Sequence, residues 1–477
     1  MDCLSSYDLL ELKLDKIDKI QLSDQVVFVM QVGRRLALCG LILGTLVAGT
    51  AKADENPLLK IDHILVVYLE NRSFDSMFGL FLGADGIANA GAAALQVDKS
   101  GKIYTTLPPV LNLGLTPVAA DPRFPSDLSN RPFDIGKFVS LDQKTGDLIH
   151  RFYTNQKQIN GGRNDKFVAW SDAGALTFGY YDTSATVQWK LAGDYTLADS
   201  FFQAAFGGSF LNHFWLVCAC TPVFPNAPAP LMATFDDKGE LLKDGAVTPD
   251  GFAVNTLYSS YQPHPVSIPP ANLLPPQTMP TIGDRLSEKG VSWAWYSGGW
   301  NDALAGNPEP DFQFHHQPLA YFKQFGDGTP ARAEHIKDHA DLEVAISGGT
   351  LPSVAFYKPI GRLNQHPGYS EIATSDKHIA ALMEKLEKSP QWKSTAVIIT
   401  YDENGGFWDH AAPPKGDRWG PGTRIAAIIV SPHAKKHFID HSVYDTTSIL
   451  ATIEHRFGLQ PLTDRDAKAH DLSNAFE

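Results

Sequence analysis

Cysteine is scarce in this chain. Its 477 residues include four, and two of these, Cys3 and Cys39, fall within the first fifty-three. So few thiols exclude a disulfide-built scaffold and a cysteine-held zinc. Cys218 and Cys220 close an apolar run from Phe214, which predicts two buried thiols. Positive charge is also short, with 40 Lys and Arg against 53 Asp and Glu and a net charge of −13. Such a chain has no overall attraction for nucleic acid or an anionic membrane, so any phosphate it handles must be held by a local site. Neither a G-x-x-x-x-G-K-[ST] phosphate loop nor a G-x-S-x-G nucleophile elbow is present. Repeats and low-complexity tracts are missing too.

What is there is a globular composition, 43% hydrophobic and 19% charged. The front differs from the rest. Met30–Arg35 is a basic segment, Leu36–Val47 an apolar one, and Ala51-Lys52-Ala53 a small-x-small cleavage signal. The apolar stretch is too short to span a bilayer. Leu38 before Cys39 does not fit a lipoprotein. Residues 1–53 therefore predict a leader, with translation starting at Met30, export to the periplasm or medium, and no stable membrane anchor. Residues 54–477 are expected to form a single catalytic domain.

Two short stretches share one design. Ala396–Ile399 is a β-branched run followed by Asp402-Glu403-Asn404-Gly405-Gly406, and Ile64–Val67 is another followed by Glu70-Asn71. Each reads as a buried strand ending in a pair of oxygen-bearing side chains. Neighbouring carboxylates at a strand end repel unless a cation or a proton intervenes. An all-oxygen set suits one hard divalent metal ion, held by Glu70, Asn71, Asp402 and Glu403. A third stretch, Gly207-Gly208-Ser209, opens an apolar helical run and puts a hydroxyl at a helix N-terminus, where a phosphate or an alkoxide is favoured. The plain alternative for Ser209 is an N-cap.

Further strands are predicted over Thr196–Phe202, Val291–Tyr296, Ser353–Tyr357 and Arg424–Val430, and a helix over Asp376–Glu387. Alternation of strands and helices gives an α/β fold with a mainly parallel sheet flanked by helices. Ala84–Phe138 and Pro222–Pro280 read as long loop insertions. His315, His316 and His366 lie in loops, where histidines mostly face solvent, and His150 lies in a polar, aromatic segment where a histidine is more often structural than catalytic.

The three motifs Glu70–Asp75, Gly207–His213 and Asp402–Phe407, in that order, resemble the bacterial phospholipase C / acid phosphatase phosphoesterase family over about Lys60–Gly458. The resemblance implies an alkaline-phosphatase-like core, one divalent metal ion and a covalent phosphoenzyme. It implies Glu70, Asn71, Ser209, Asp402 and Glu403 as metal ligands, Ser209 as nucleophile, and His150, His316 and His366 as phosphate contacts. Serine rather than threonine at position 209 is similar to the acid phosphatase branch. The expectation is an exported acid phosphatase acting on phosphate monoesters, with cationic histidines giving an acid optimum. A phospholipase C and a periplasmic binding protein for phosphorylated ligands are the alternatives.

Overall fold

A computed structural model describes residues 56–477; the leader expected over residues 1–53 lies outside them. Among the described residues, nine strands form one sheet: β1 (His63–Leu69), β2 (Thr196–Phe202), β3 (Trp293–Ser297), β4 (Ile336–Asp338), β5 (Val354–Lys358), β6 (Thr395–Tyr401), β7 (Arg424–Val430), β8 (Phe438–Asp440) and β9 (Tyr444–Asp445). The order is 4-3-5-1-6-7-2-8, with β9 beside the end of β2. Every pairing is parallel except those of β7 with β6 and β2. The strands β6 and β7 are buried along their whole length, which explains their unbroken apolar runs. The four sequence-read strands appear with ends shifted by two residues or fewer.

Five helices matter for the site: α1 (Phe74–Phe78), α2 (Val187–Asp194), α3 (Ser209–Cys218), α4 (Ile372–Lys388) and α5 (Thr446–Phe457). The helix α4 starts four residues before the sequence reading of Asp376. Ile372 extends the buried stripe of Ile379, Leu382, Met383 and Leu386 by one more turn pair, so packing carries the helix upstream. The helix α3 packs on α5, and α2 on α4.

Two readings need correction. Cys218 and Cys220 are joined in a disulfide, not held as free thiols. Ala219 between them turns left-handed at the end of α3 and brings their Cα atoms to 5.1 Å, within bridging range. The segment Pro222–Pro280 is also more than a surface insertion. Val247, Ala253, Val254 and Leu274 are buried, and Asn255 Oδ1 accepts the Phe152 N–H (3.0 Å), tying the segment to the loop carrying His150.

Because β7 runs against its neighbours, its first residue, Arg424, stands opposite Phe202 at the carboxyl edge of the parallel strands. Its guanidinium is fully buried and bonds Asp409 (2.9 Å) and Asp75 (3.1 Å). Asp75 also accepts from the His410 ring (2.7 Å), and its N–H donates to Asp409 (2.9 Å). These bonds staple the segment after β1 to the segment after β6. Burial works against a charged His410, but Asp75 and Asp409 outweigh it and raise the imidazole to about 9. A histidine raised in the fold contributes stability below its unfolded value near 6.5 and loses it as pH climbs through about 9. Chemical denaturation of wild type and His410→Ala should therefore show a gap with a pH-dependent part of up to about 3 kcal/mol at pH 6, fading above pH 9.

Candidate active site

The parallel pair β1–β6 sets the first half of the site. Leu69 faces Tyr401 in register, so Glu70 and Asp402 leave the sheet side by side. The ladder continues past the strands, with Asp402 N–H donating to Leu69 O (3.0 Å) and Arg72 N–H to Glu403 O (3.0 Å). Asn71 takes a left-handed φ of 61°, and its N–H donates to Asp402 Oδ1 (3.1 Å). Gly405 allows this closeness, since a Cβ there would lie 2.4 Å from Asn71 O.

The second half comes from β2 and α3. Gly208, not Ser209, is the N-cap of α3, and no side chain caps the helix. Ser209 is its first residue, and its hydroxyl donates to Asn71 Oδ1 (3.2 Å) across the gap to the other motif. The capping alternative for Ser209 therefore does not describe its hydroxyl. A Cβ at Gly208 would meet His150 O at 2.6 Å, so glycine lets the His150 loop lie against the start of α3.

Histidines gather here too, and His316 and His366 are not solvent-facing. His316 is 2% and His366 7% exposed. His366 Nε2 accepts from Asn71 Nδ2 (2.9 Å), its Nδ1 donates to Pro367 O (2.6 Å), and its ring stacks on Tyr369. His150 Nδ1 donates to Leu148 O (2.5 Å) and its Nε2 lies 4.0 Å from Glu403 Oε1. His316 turns its Nε2 onto Glu70 Oε1, while His315 beside it lines the open cleft. That cleft, about 480 Å³, also presents Ser209, Asp147, Asn255 and Tyr369.

Charge is crowded. Glu70, Asp402 and Glu403 are buried at 1% or less. Burial pushes Glu403 well above the usual carboxylate range, with Asp402 adding to it and His150 opposing. Asp402 is raised in the same way, by burial and by Glu70, against Lys358. Burial would raise Glu70 as well, but His316 and Lys358 outweigh it and hold the carboxyl well below its ordinary value. The histidines diverge rather than forming a uniform cationic set. Burial lowers His316 despite Glu70, whereas Glu403 and Asp147 overcome burial at His150 and lift it to about 9. An acid optimum therefore does not follow from these rings collectively.

The donor set fits a divalent cation. Glu403 Oε1 is buried without a hydrogen-bond partner, and Glu70 Oε1 faces only the Lys358 ammonium and His316 Nε2, beside oxygens of Asn71, Ser209 and Asp402. A tighter mixed group also exists: one donor atom each from Glu70, His213 and His316 lie within 4.8 Å of one another, and Asp147, His150 and His366 form a similar group.

Three participants escaped the sequence reading. Lys358, the last residue of β5, is fully buried with its ammonium 3.0 Å from Glu70 and 3.3 Å from Asp402. Its signal was available, a cation ending an apolar strand. His213, one turn after Ser209, bonds Ser209 O through Nδ1 (2.6 Å), and the i to i+4 spacing announced that contact. Tyr369 donates to Glu70 Oε2 (3.0 Å) from a loop that gave no sign of it.

Residues 61–460 match the profile of the Phosphoesterase family. Phospholipase C B of Mycobacterium tuberculosis is 25% identical over 88% of this chain and 78% of its own length. Non-hemolytic phospholipase C of Pseudomonas aeruginosa is 22% identical over 88% of this chain and 57% of its own. Among solved structures, a protein in the alkaline phosphatase superfamily from Vibrio parahaemolyticus aligns with 59% of this chain and 65% of its own at 13% identity and a TM-score of 0.30. Murine ectonucleotide pyrophosphatase / phosphodiesterase 5 aligns with 61% of this chain and 94% of its own at 10% identity and a TM-score of 0.33.

Metal analysis separates the donor sets. Asp402→Ala and Glu70→Ala should each weaken binding of one divalent ion by at least about 100-fold, beyond the loss usual for outer-shell partners. Asp147→Ala should keep the ion. Retention in Asp402→Ala with loss in His213→Ala would move the ion to the mixed nitrogen and oxygen group.

Proposed function

The chain belongs to the Phosphoesterase family and is a hydrolase of phosphoric esters, and on that premise we propose an exported, metal-dependent phosphomonoesterase working through a phosphoserine at Ser209. The observation that carries the reading is the Ser209 hydroxyl, uncapped at the start of α3 and 3.2 Å from Asn71 Oδ1. A serine whose only role was to cap would turn that oxygen to its own helix.

With its proton released to solvent, Ser209 Oγ attacks phosphorus as the alkoxide, forming the serine–phosphorus bond as the ester bond to the alcohol breaks. The unpaired N–H groups at the start of α3 favour the negative charge gathering there. His150, raised to about 9, donates its proton to the departing alkoxide, and as a neutral base it then takes the proton of the water that opens the phosphoserine. His315 meets the phosphoryl oxygens from the cleft wall, while His366 holds Asn71 through Nε2 and His316 holds Glu70. Glu70, Asn71, Asp402 and Glu403 would hold the divalent ion, which when bound lowers the serine pKa and offsets phosphoryl charge.

Serine at position 209 and the net charge of −13 support small soluble monoesters as substrates. One observation favours a phospholipase C instead. Leu113 lines the cleft, and it belongs to a hairpin, residues 111–120, that carries no charged side chain and exposes Leu115 and Val118. An apolar tip beside a phosphoesterase cleft is suited to a lipid surface.

Ser209→Ala should cut turnover of p-nitrophenyl phosphate by orders of magnitude with a near-normal melting temperature, and acid-quenched wild type should carry phosphoserine at position 209. Substitution of a mere cap would cost about 1 kcal/mol of stability and leave turnover in place. Assayed on the same preparation, phosphatidylcholine vesicles should be cleaved more slowly than p-nitrophenyl phosphate. The reverse order would make the hairpin reading the better one.

A further inference from the structure

Lys358 has no role in the chemistry above, yet it is a fully buried cation, with an exposure of 0%. The ammonium donates to Leu69 O (3.2 Å) and Asp402 Oδ2 (3.3 Å) and sits 3.0 Å from Glu70 Oε1, over the face of Tyr68. It is not among the residues that line the cleft, so it does not reach a substrate directly. A buried lysine is tolerated only where opposite charge surrounds it, and here that charge belongs to two of the proposed metal ligands.

We propose that Lys358 is a fixed counter-cation of the metal site, which tunes the site for anions by cancelling the negative charge that a single divalent ion leaves over. Ionised as ligands of a bound divalent ion, Glu70, Asp402 and Glu403 would together carry one charge more than that ion can neutralise. A site left negative would repel a phosphate dianion, and Lys358 removes the excess from behind, where it cannot compete for the ligand positions facing the cleft. His150, the other cation near these carboxylates, is 22% exposed, lines the cleft and faces Glu403, so it belongs to the substrate side. The inference rests on the phosphoesterase reading and makes Lys358 a positioning residue acting through Glu70 and Asp402.

A fixed cation leaves a signature that a structural prop does not. It repels the metal ion and attracts the anion, so its removal must move the two affinities in opposite directions. Calorimetry on metal-free Lys358→Met should show Mn²⁺ binding tighter by on the order of tenfold. With Mn²⁺ saturating, inorganic phosphate should bind weaker by on the order of tenfold. Both affinities falling together, or neither changing, would overturn the inference while leaving the phosphoesterase reading intact. Wild type that binds Mn²⁺ but no phosphate would overturn both. Where Lys358→Met does not fold, Lys358→Gln carries the same measurement. If neither variant folds, the lysine is a structural requirement and the inference falls.

Discussion

Three carboxylates, Glu70, Asp402 and Glu403, are buried at one end of a single sheet, and their mutual repulsion is the constraint that the surrounding structure answers. Each meets a cation or a titratable ring: Lys358 and His316 at Glu70, Lys358 at Asp402, His150 at Glu403. Backbone geometry adds its part, since Asp402 takes the N–H of Asn71 and of Glu403, and Glu403 takes that of Gly405. Glu403 Oε1 still lacks a hydrogen-bond partner. A divalent ion would satisfy it without altering the fold.

The same problem recurs one layer out and is solved differently. Asp75 and Asp409 are also buried, but Arg424 fills the space between them. Arginine can do this because the antiparallel β7 starts at the edge where the parallel strands end. The result is a rigid frame behind a reactive site. The outer tier uses its charge to hold the two segments together, and the inner tier is where the proposed ion and phosphate would bind.

The strands were legible because a sheet buried on both faces demands continuous β-branched runs, and Ala396–Ile399 and Ile425–Val430 supply them. The oxygen-bearing pairs Glu70-Asn71 and Asp402-Glu403 were legible because they stand directly at strand ends. Lys358 stands in the same kind of position, but a lone lysine after an apolar run ordinarily escapes to water, and only the register of β5 against β1 shows that it cannot. The burial of His316 and His366 was hidden because loop residues have no periodicity that reports their environment. The disulfide was hidden for a related reason: it depends on a left-handed Ala219, a conformation that residue type does not announce.

The central claim, that Ser209 and the oxygen ligands form one reaction centre, is tested most directly by a crystal structure with Mn²⁺ and vanadate, using anomalous scattering to locate both metals. The account predicts manganese among the oxygens of Glu70, Asn71, Asp402 and Glu403, with vanadium bonded to Ser209 Oγ. Manganese on the nitrogens of His213 and His316, or vanadium bound without contact to Ser209, would contradict it.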